Sequence, residues 1–157
     1  MEVVVDSEKE LFNNAMGHVK TYADDATIKL PCSVDGLKAC KRLSDLNVRT
    51  NVTLVFSPAQ AILASLAGAT YISPFIGRMD DNSLDGMKLI NDISNTLRSN
   101  TKILAASIRD PQSVAMAFTL GSDICTVPTG VFDKMYNHVL TDAGIAQFNK
   151  DHAETPN

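Results

Sequence analysis

A lysine stands inside a strand-like run at residues 27–33, TIKLPCS, where Thr27, Ile28 and Leu30 suit a strand and Pro31 ends it. Two readings fit Lys29. On an exposed edge strand, a lysine guards against strand-to-strand aggregation. Held inside the fold, its amine is driven toward the neutral form by burial. A neutral amine attacks a ketone and forms a Schiff base, and the resulting iminium is an electron sink for the adjacent carbon–carbon bond. Proton movement then needs a carboxylate or an activated water. Glu2 opens a strand candidate and is the best acid in reach, with an ordinary solvated terminal residue as the equal alternative. Thr53 could help hold the water. Arg78, in FIGR, and Arg109, in ASIRD, each lie just past a strand candidate. Guanidinium forks suit phosphate oxygens, and Ser107 could add a hydroxyl donor. Each arginine alone reads as a surface partner of Asp80 or Asp110. Together with a sheltered amine, they point to a phosphorylated carbonyl substrate.

These side chains need a frame. Strand candidates at Val3–Val5, Thr27–Leu30, Asn51–Phe56, Tyr71–Phe75, Lys102–Ser107 and Ile124–Val127 alternate with helical patterns. The helical stretches are SEKELFNNAMGHVKTYA, VDGLKACKRLSDL, SPAQAILASLAG, SLDGMKLINDISNTLRS and DPQSVAMAFTLG. Leu11, Ala15 and Val19 share a face of the first, as do Leu37, Cys40, Leu43 and Leu46 of the second. Ser57–Pro58 and Asp110–Pro111 have the form of a cap followed by a first helical residue, and Gly68 and Gly121 mark helix ends. A repeat of about 20–35 residues per βα unit implies a parallel sheet or barrel with helices outside. Asn51 and Thr53 alternate with Val52, Leu54 and Phe56, so one face is polar and the other apolar. Thr27 and Lys29, Ser107 and Arg109, and Tyr71, Ser73 and Phe75 repeat the pattern. Several strands turning functional side chains to one face suit a shared interior site, since such barrels draw catalytic residues from several strands.

The 157 residues suggest one domain, 1–157, ending in a helical segment over 131–157. Hydrophobic residues are 45% and charged residues 20%, a globular balance. A net charge of -4 argues against nucleic acid, whose binding needs a basic patch. No apolar run approaches the roughly 20 residues of a membrane span, and the N-terminus lacks a secretory pattern. Cys32, Cys40 and Cys125 are odd in number and widely spaced, which reads as reduced thiols in the cytoplasm. NVT at 51–53 fits a glycosylation sequon, discounted because the N-terminus lacks a secretory pattern. His18, His138 and His152 are isolated, so no metal is expected. Asp80 and Asp81 read as a loop turn. GxGxxG, P-loop and GxSxG motifs are missing.

The segments IKLPCSVDGLKACKRL, NVTLVFSPAQAILASLAGATYISPFIGRMDD and ILAASIRD resemble the transaldolases, in particular the short group that includes the fructose-6-phosphate aldolases. The resemblance runs from Glu2 to about Asp151 and implies a (β/α)₈ TIM-barrel fold without metal or cofactor. It makes Lys29 the Schiff-base lysine, and it has Glu2 and Thr53 position the catalytic water. Asn51 then sits beside substrate hydroxyls, Ser73 and Phe75 line the pocket, and Arg78, Ser107 and Arg109 bind phosphate. Glu2 and Phe75, where the aldolase group carries Gln and Tyr, favour transaldolase. That reaction moves a dihydroxyacetone unit from sedoheptulose 7-phosphate to glyceraldehyde 3-phosphate, a step of the pentose phosphate pathway. Phosphorylated sugars are the implied partners. The family's ring-shaped homo-oligomers imply that the C-terminal helix reaches a neighbour.

A full barrel has eight βα units, and this chain supplies about six. The family's first strand, with a catalytic Asp, and its second, with a TTNP-like motif, have no counterpart here. The chain is expected to be a fragment, to close its barrel with another chain, or to be a degenerate homologue that binds sugar phosphate without turnover.

Overall fold

A strand followed by a capped helix is the repeating unit. The computed structural model describes residues 7–155, so Glu2 and the strand expected at Val3–Val5 lie outside the described residues. Helix α1 (Glu8–Tyr22) comes first. Then follow β1 (Ile28–Pro31), α2 (Val34–Asp45), β2 (Thr50–Val55), α3 (Pro58–Leu66), β3 (Tyr71–Pro74), α4 (Ile76–Asp81) and α5 (Gly86–Thr96). The chain continues through β4 (Lys102–Ala105), α6 (Pro111–Thr119), β5 (Ile124–Cys125), α7 (Thr129–Lys134) and α8 (Val139–Glu154). The five strands are all parallel and stand in chain order, each paired with the next. Crossovers that always step the same way keep the helices on one face. This is an α/β fold of the TIM-barrel type.

Local chemistry fixes where each helix starts. Ser33 Oγ accepts the Gly36 N–H at 3.0 Å, and Ser57 Oγ accepts the Gln60 N–H at 3.2 Å. Asp85 and Asp110 do the same for the Lys88 and Ser113 amides, at 2.7 Å and 2.8 Å. Such side chains satisfy amides that the first turn leaves without an intrahelical partner. Pro58 and Pro111 occupy first-turn positions, where no N–H is needed. The caps at Ser33, Ser57 and Asp110 shortly follow strands, so those helices start at the carboxyl ends of the strands.

The core lies between sheet and helices. Ile28, Leu30, Val52, Val55, Ile72 and Ile103 pack with Leu11, Ala15, Ala39, Leu43, Ala61, Ala64, Ile90, Ile93 and Ala117. Burying one such large side chain contributes about 1.5–3 kcal/mol. The other sheet face carries Lys29, Asn51, Tyr71 and Leu104, all half-buried. No helix among the described residues is long and apolar enough to cross a membrane.

Three expectations change. The alternation in β2 stops at a bulge: Thr53 pairs with Ser73, but Val55 pairs with Pro74. Leu54, at φ 60, is the extra residue. The bulge resets the phase, so Val55 enters the core in place of Leu54 and Phe56, which stay half-buried. In α2, Leu46 is exposed, and Ala39 joins Cys40 and Leu43 on the buried face. Asp80 and Asp81 close the short helix α4 rather than forming a loop turn.

Candidate active site at the strand ends

The register of the sheet determines which polar side chains meet. Lys29 pairs with Asn51, and Asn51 with Tyr71; one pleat further on, Pro31 pairs with Thr53 and Thr53 with Ser73. Paired residues of a parallel sheet point to the same face, and alternate residues of a strand share a face. Lys29, Asn51, Thr53 and Ser73 therefore project from the face away from the core. Ser73 Oγ donates to Asn51 Oδ1 at 2.8 Å, fixing the amide between the lysine and the serine.

A cavity of about 320 Å³ opens over this face, lined by Lys29, Asn51, Ser73, Phe75, Leu104, Ala106, Ser107 and Thr126. Phe75 lies close to both Lys29 and Arg78. Lys29 Nζ lies 6.0 Å from the ring centroid, and Arg78 Cζ lies 4.8 Å from it. The ring's negative face favours the Arg78 guanidinium. Phe56 meets Phe75 edge-on, with centroids 6.1 Å apart. The Thr53 hydroxyl is buried and has no hydrogen-bond partner among the described residues. Leaving a buried hydroxyl unsatisfied costs roughly 1–3 kcal/mol, so this oxygen suits a site that takes a polar guest. Burial pushes the Cys32, Cys40 and Cys125 thiols up, away from the reactive thiolate.

Past β4 the backbone turns sharply. Ser107 has φ 62, a left-handed conformation uncommon outside glycine. Gly77 of α4 packs against this turn: a Cβ there would come within 2.3 Å of the Ser107 carbonyl oxygen and 2.8 Å of Arg109 Nε. Only glycine allows that approach. Arg109 then donates from Nη1 and Nη2 to the two carboxylate oxygens of Asp81, a forked pair joining the segment after β4 to the end of α4. The hydrogen bonds from Arg109 hold the Asp81 carboxyl below the usual carboxylate range, and Asp81 in turn raises the guanidinium. Neither partner foreseen for the arginines is used in this way. Asp80 accepts the Gly86 N–H at 3.1 Å, and Asp110 caps α6.

Of the residues singled out in the sequence, Lys29, Asn51, Ser73, Phe75 and Ser107 line the cavity. Thr53 lies beside Ser73, and Arg78 covers Phe75. Arg109 is tied beside Ser107 through Gly77. Glu2 is outside the described residues. Sequence reasoning overlooked Thr126, Leu104 and Ala106 as lining, and Gly77 and Asp81 as the clamp around Arg109. Thr126 had a signal, as the residue that directly continues the Ile124–Cys125 strand.

Polar side chains gathered from neighbouring strands around one cavity define a TIM-barrel-type α/β protein with a candidate site at the strand ends. Its sequence adds the particulars: the transaldolase/fructose-6-phosphate aldolase family matches residues 1–156, and the chain belongs to that family. Probable transaldolases are similar to it. The one from Nitrosopumilus maritimus is 50% identical over 137 residues, 85% of this chain and 62% of its own length. One from an Anaeromyxobacter species is 46% identical over 158 residues, covering 99% of this chain and 73% of its own. That of Paracoccus denitrificans is 51% identical over 141 residues, 88% of this chain and 65% of its own. The chain thus spans about two-thirds of the length of these relatives. Among solved structures, a GMP reductase of Trypanosoma brucei superposes with a TM-score of 0.66 at 18% identity, over 83% of this chain and 32% of its own. A mandelate oxidase gives a TM-score of 0.63 at 13% identity, over 80% and 47%. These two likenesses are of fold alone.

Proposed function

We propose that this chain carries the Schiff-base site of a transaldolase, with Lys29 as its nucleophile. The observation that carries this reading is the row of Lys29, Asn51 and Ser73 around one cavity, in a chain of the transaldolase/fructose-6-phosphate aldolase family. The Lys29 amine adds to the ketose carbonyl and water leaves, forming an iminium. The hydroxyl on the fourth sugar carbon gives its proton to the water held by Thr53 and Glu2, the bond between the third and fourth carbons breaks, its electron pair moves into the iminium to give an enamine, and the aldehyde fragment departs. The enamine then attacks the acceptor aldehyde, and water releases the product. Thr53, together with Glu2, holds that water. Asn51 and Ser73 engage sugar hydroxyls, Phe75 walls the pocket, and Arg78, Ser107 and Arg109 receive the phosphate. The reaction moves dihydroxyacetone from sedoheptulose 7-phosphate to glyceraldehyde 3-phosphate in the cytoplasm, as part of the pentose phosphate pathway. The chain works as a homo-oligomer, with the exposed apolar side chains of the C-terminal segment 131–157 against a second copy.

Borohydride reduction with fructose 6-phosphate tests the chemistry. The expected result is a covalent sugar adduct that peptide mapping assigns to Lys29. An unmodified intact mass overturns it. Free dihydroxyacetone released without an acceptor aldehyde would instead assign the chain to aldolase chemistry.

A further inference from the structure

We propose that Asp81 is a positioning residue that aims the Arg109 guanidinium at the phosphate of a sugar-phosphate substrate. The inference rests on the site reading above and extends it to a residue that does not itself line the cavity. Exposed ion pairs usually contribute little, because each long side chain gives up rotamer freedom for a weak, screened attraction. This pair has the exceptional geometry, with both carboxylate oxygens accepting from two different nitrogens of a planar fork.

The pair also has a reason to be where it is. Arg109 sits two residues beyond Ser107, whose side chain lines the cavity and whose backbone is left-handed. Asp81 belongs to another βα unit, at the end of α4. Between them Gly77 lies against Arg109 Nε and against both the carbonyl and the hydroxyl oxygen of Ser107. The guanidinium is therefore held on two sides. Asp81 grips its outer nitrogens, and the Gly77 backbone limits the inner one. Two of its five N–H donors are engaged by the carboxylate, which leaves N–H donors on the same guanidinium for an anion beside Ser107. Without Asp81, an exposed arginine would explore many rotamers and meet the phosphate in few of them.

The test compares two ketoses trapped on the full chain by borohydride. For Asp81→Asn, the fructose 6-phosphate concentration giving half-maximal adduct should rise about tenfold. The value for dihydroxyacetone, which has no phosphate, should stay put. In an Arg109→Ala background, Asp81→Asn should add no further loss, since it acts through the arginine. Unchanged or tighter fructose 6-phosphate trapping in Asp81→Asn overturns the proposal. So does an equal weakening for both sugars, or a loss that adds to that of Arg109→Ala. If the unaltered chain traps neither sugar, the Lys29 reading fails. Thermal stabilisation by inorganic phosphate then still decides Asp81: a smaller stabilisation in Asp81→Asn supports it, and an equal or larger one overturns it.

Discussion

The sheet with its first helices and the C-terminal helices α7 and α8 are built from similar amino acids and treat them in opposite ways. Between β1 and β4, large apolar residues such as Ile28, Leu30, Val52 and Ile72 are fully buried. After β5, Val131 is the one buried residue of α7, and α8 has none. Phe148 is 73% exposed and Val139 76% exposed. A helix in water gains little from propensity alone and depends on a packed face. The first region stabilises itself, then, while the second leaves its apolar side chains exposed, as the proposed contact with a second copy requires.

Mutations sharpen that contrast, the largest effects belonging to the first region. Ile72→Ala, at the centre of the sheet, should cost about 2–5 kcal/mol in urea unfolding. A cost below about 1 kcal/mol would mean that the core is less closely packed than described. Gly77→Ala places a methyl group against the Ser107 carbonyl and should cost about 1–3 kcal/mol, because backbone rather than a flexible side-chain end must yield. The same variant should weaken phosphate binding, read as a smaller thermal shift with inorganic phosphate.

Asp110→Ala removes the α6 cap and should cost about 1 kcal/mol. Hydrogen bonds from the Ser113 hydroxyl and amide hold the Asp110 carboxyl below its ordinary value. A carboxyl depressed in the folded state stabilises fully above its unfolded pKa of about 3.9, and this contribution fades as pH falls through the lower, folded value. The thermal midpoint of the unaltered chain should therefore fall more steeply below about pH 4 than that of Asp110→Asn. Equal slopes would remove Asp110 from the acid response. The smallest effect belongs to the second region: Phe148→Ala should change the unfolding free energy of the dissociated chain by less than about 0.5 kcal/mol. Sedimentation should show it shifting the proposed homo-oligomer toward monomer, and an unshifted distribution would take Phe148 out of that proposal.

Much of the frame was legible because its signals are local. Ser57–Pro58 and Asp110–Pro111 announce helix starts through a hydrogen bond within a few residues, and the starts fall at Pro58 and Pro111. The apolar periodicity of Leu11, Ala15, Cys40 and Leu43 likewise survives as burial. What escaped depends on distance in space. The Leu54 bulge is set by pairing with β3, so alternation within β2 alone carries no trace of it. The Arg109–Asp81 fork joins residues 28 positions apart, and only the packing of α4 on the Ser107 turn brings them together. Asp81 therefore read as one more polar residue of a turn. The row of Lys29, Asn51 and Ser73 lies between these extremes, since period-two facing was readable while the inter-strand register was not.

Leu54 has one more consequence. Because it is surplus to the ladder, its neighbours would keep their facings if it were deleted: Thr53 inward, Val55 toward the helices. Deletion would instead shorten the strand's contour by about 3.3 Å and draw the Phe56 ring back from Phe75. The bulge is thus a spacer that sets how far the strand carries the Phe56 ring toward Phe75, which itself lines the cavity.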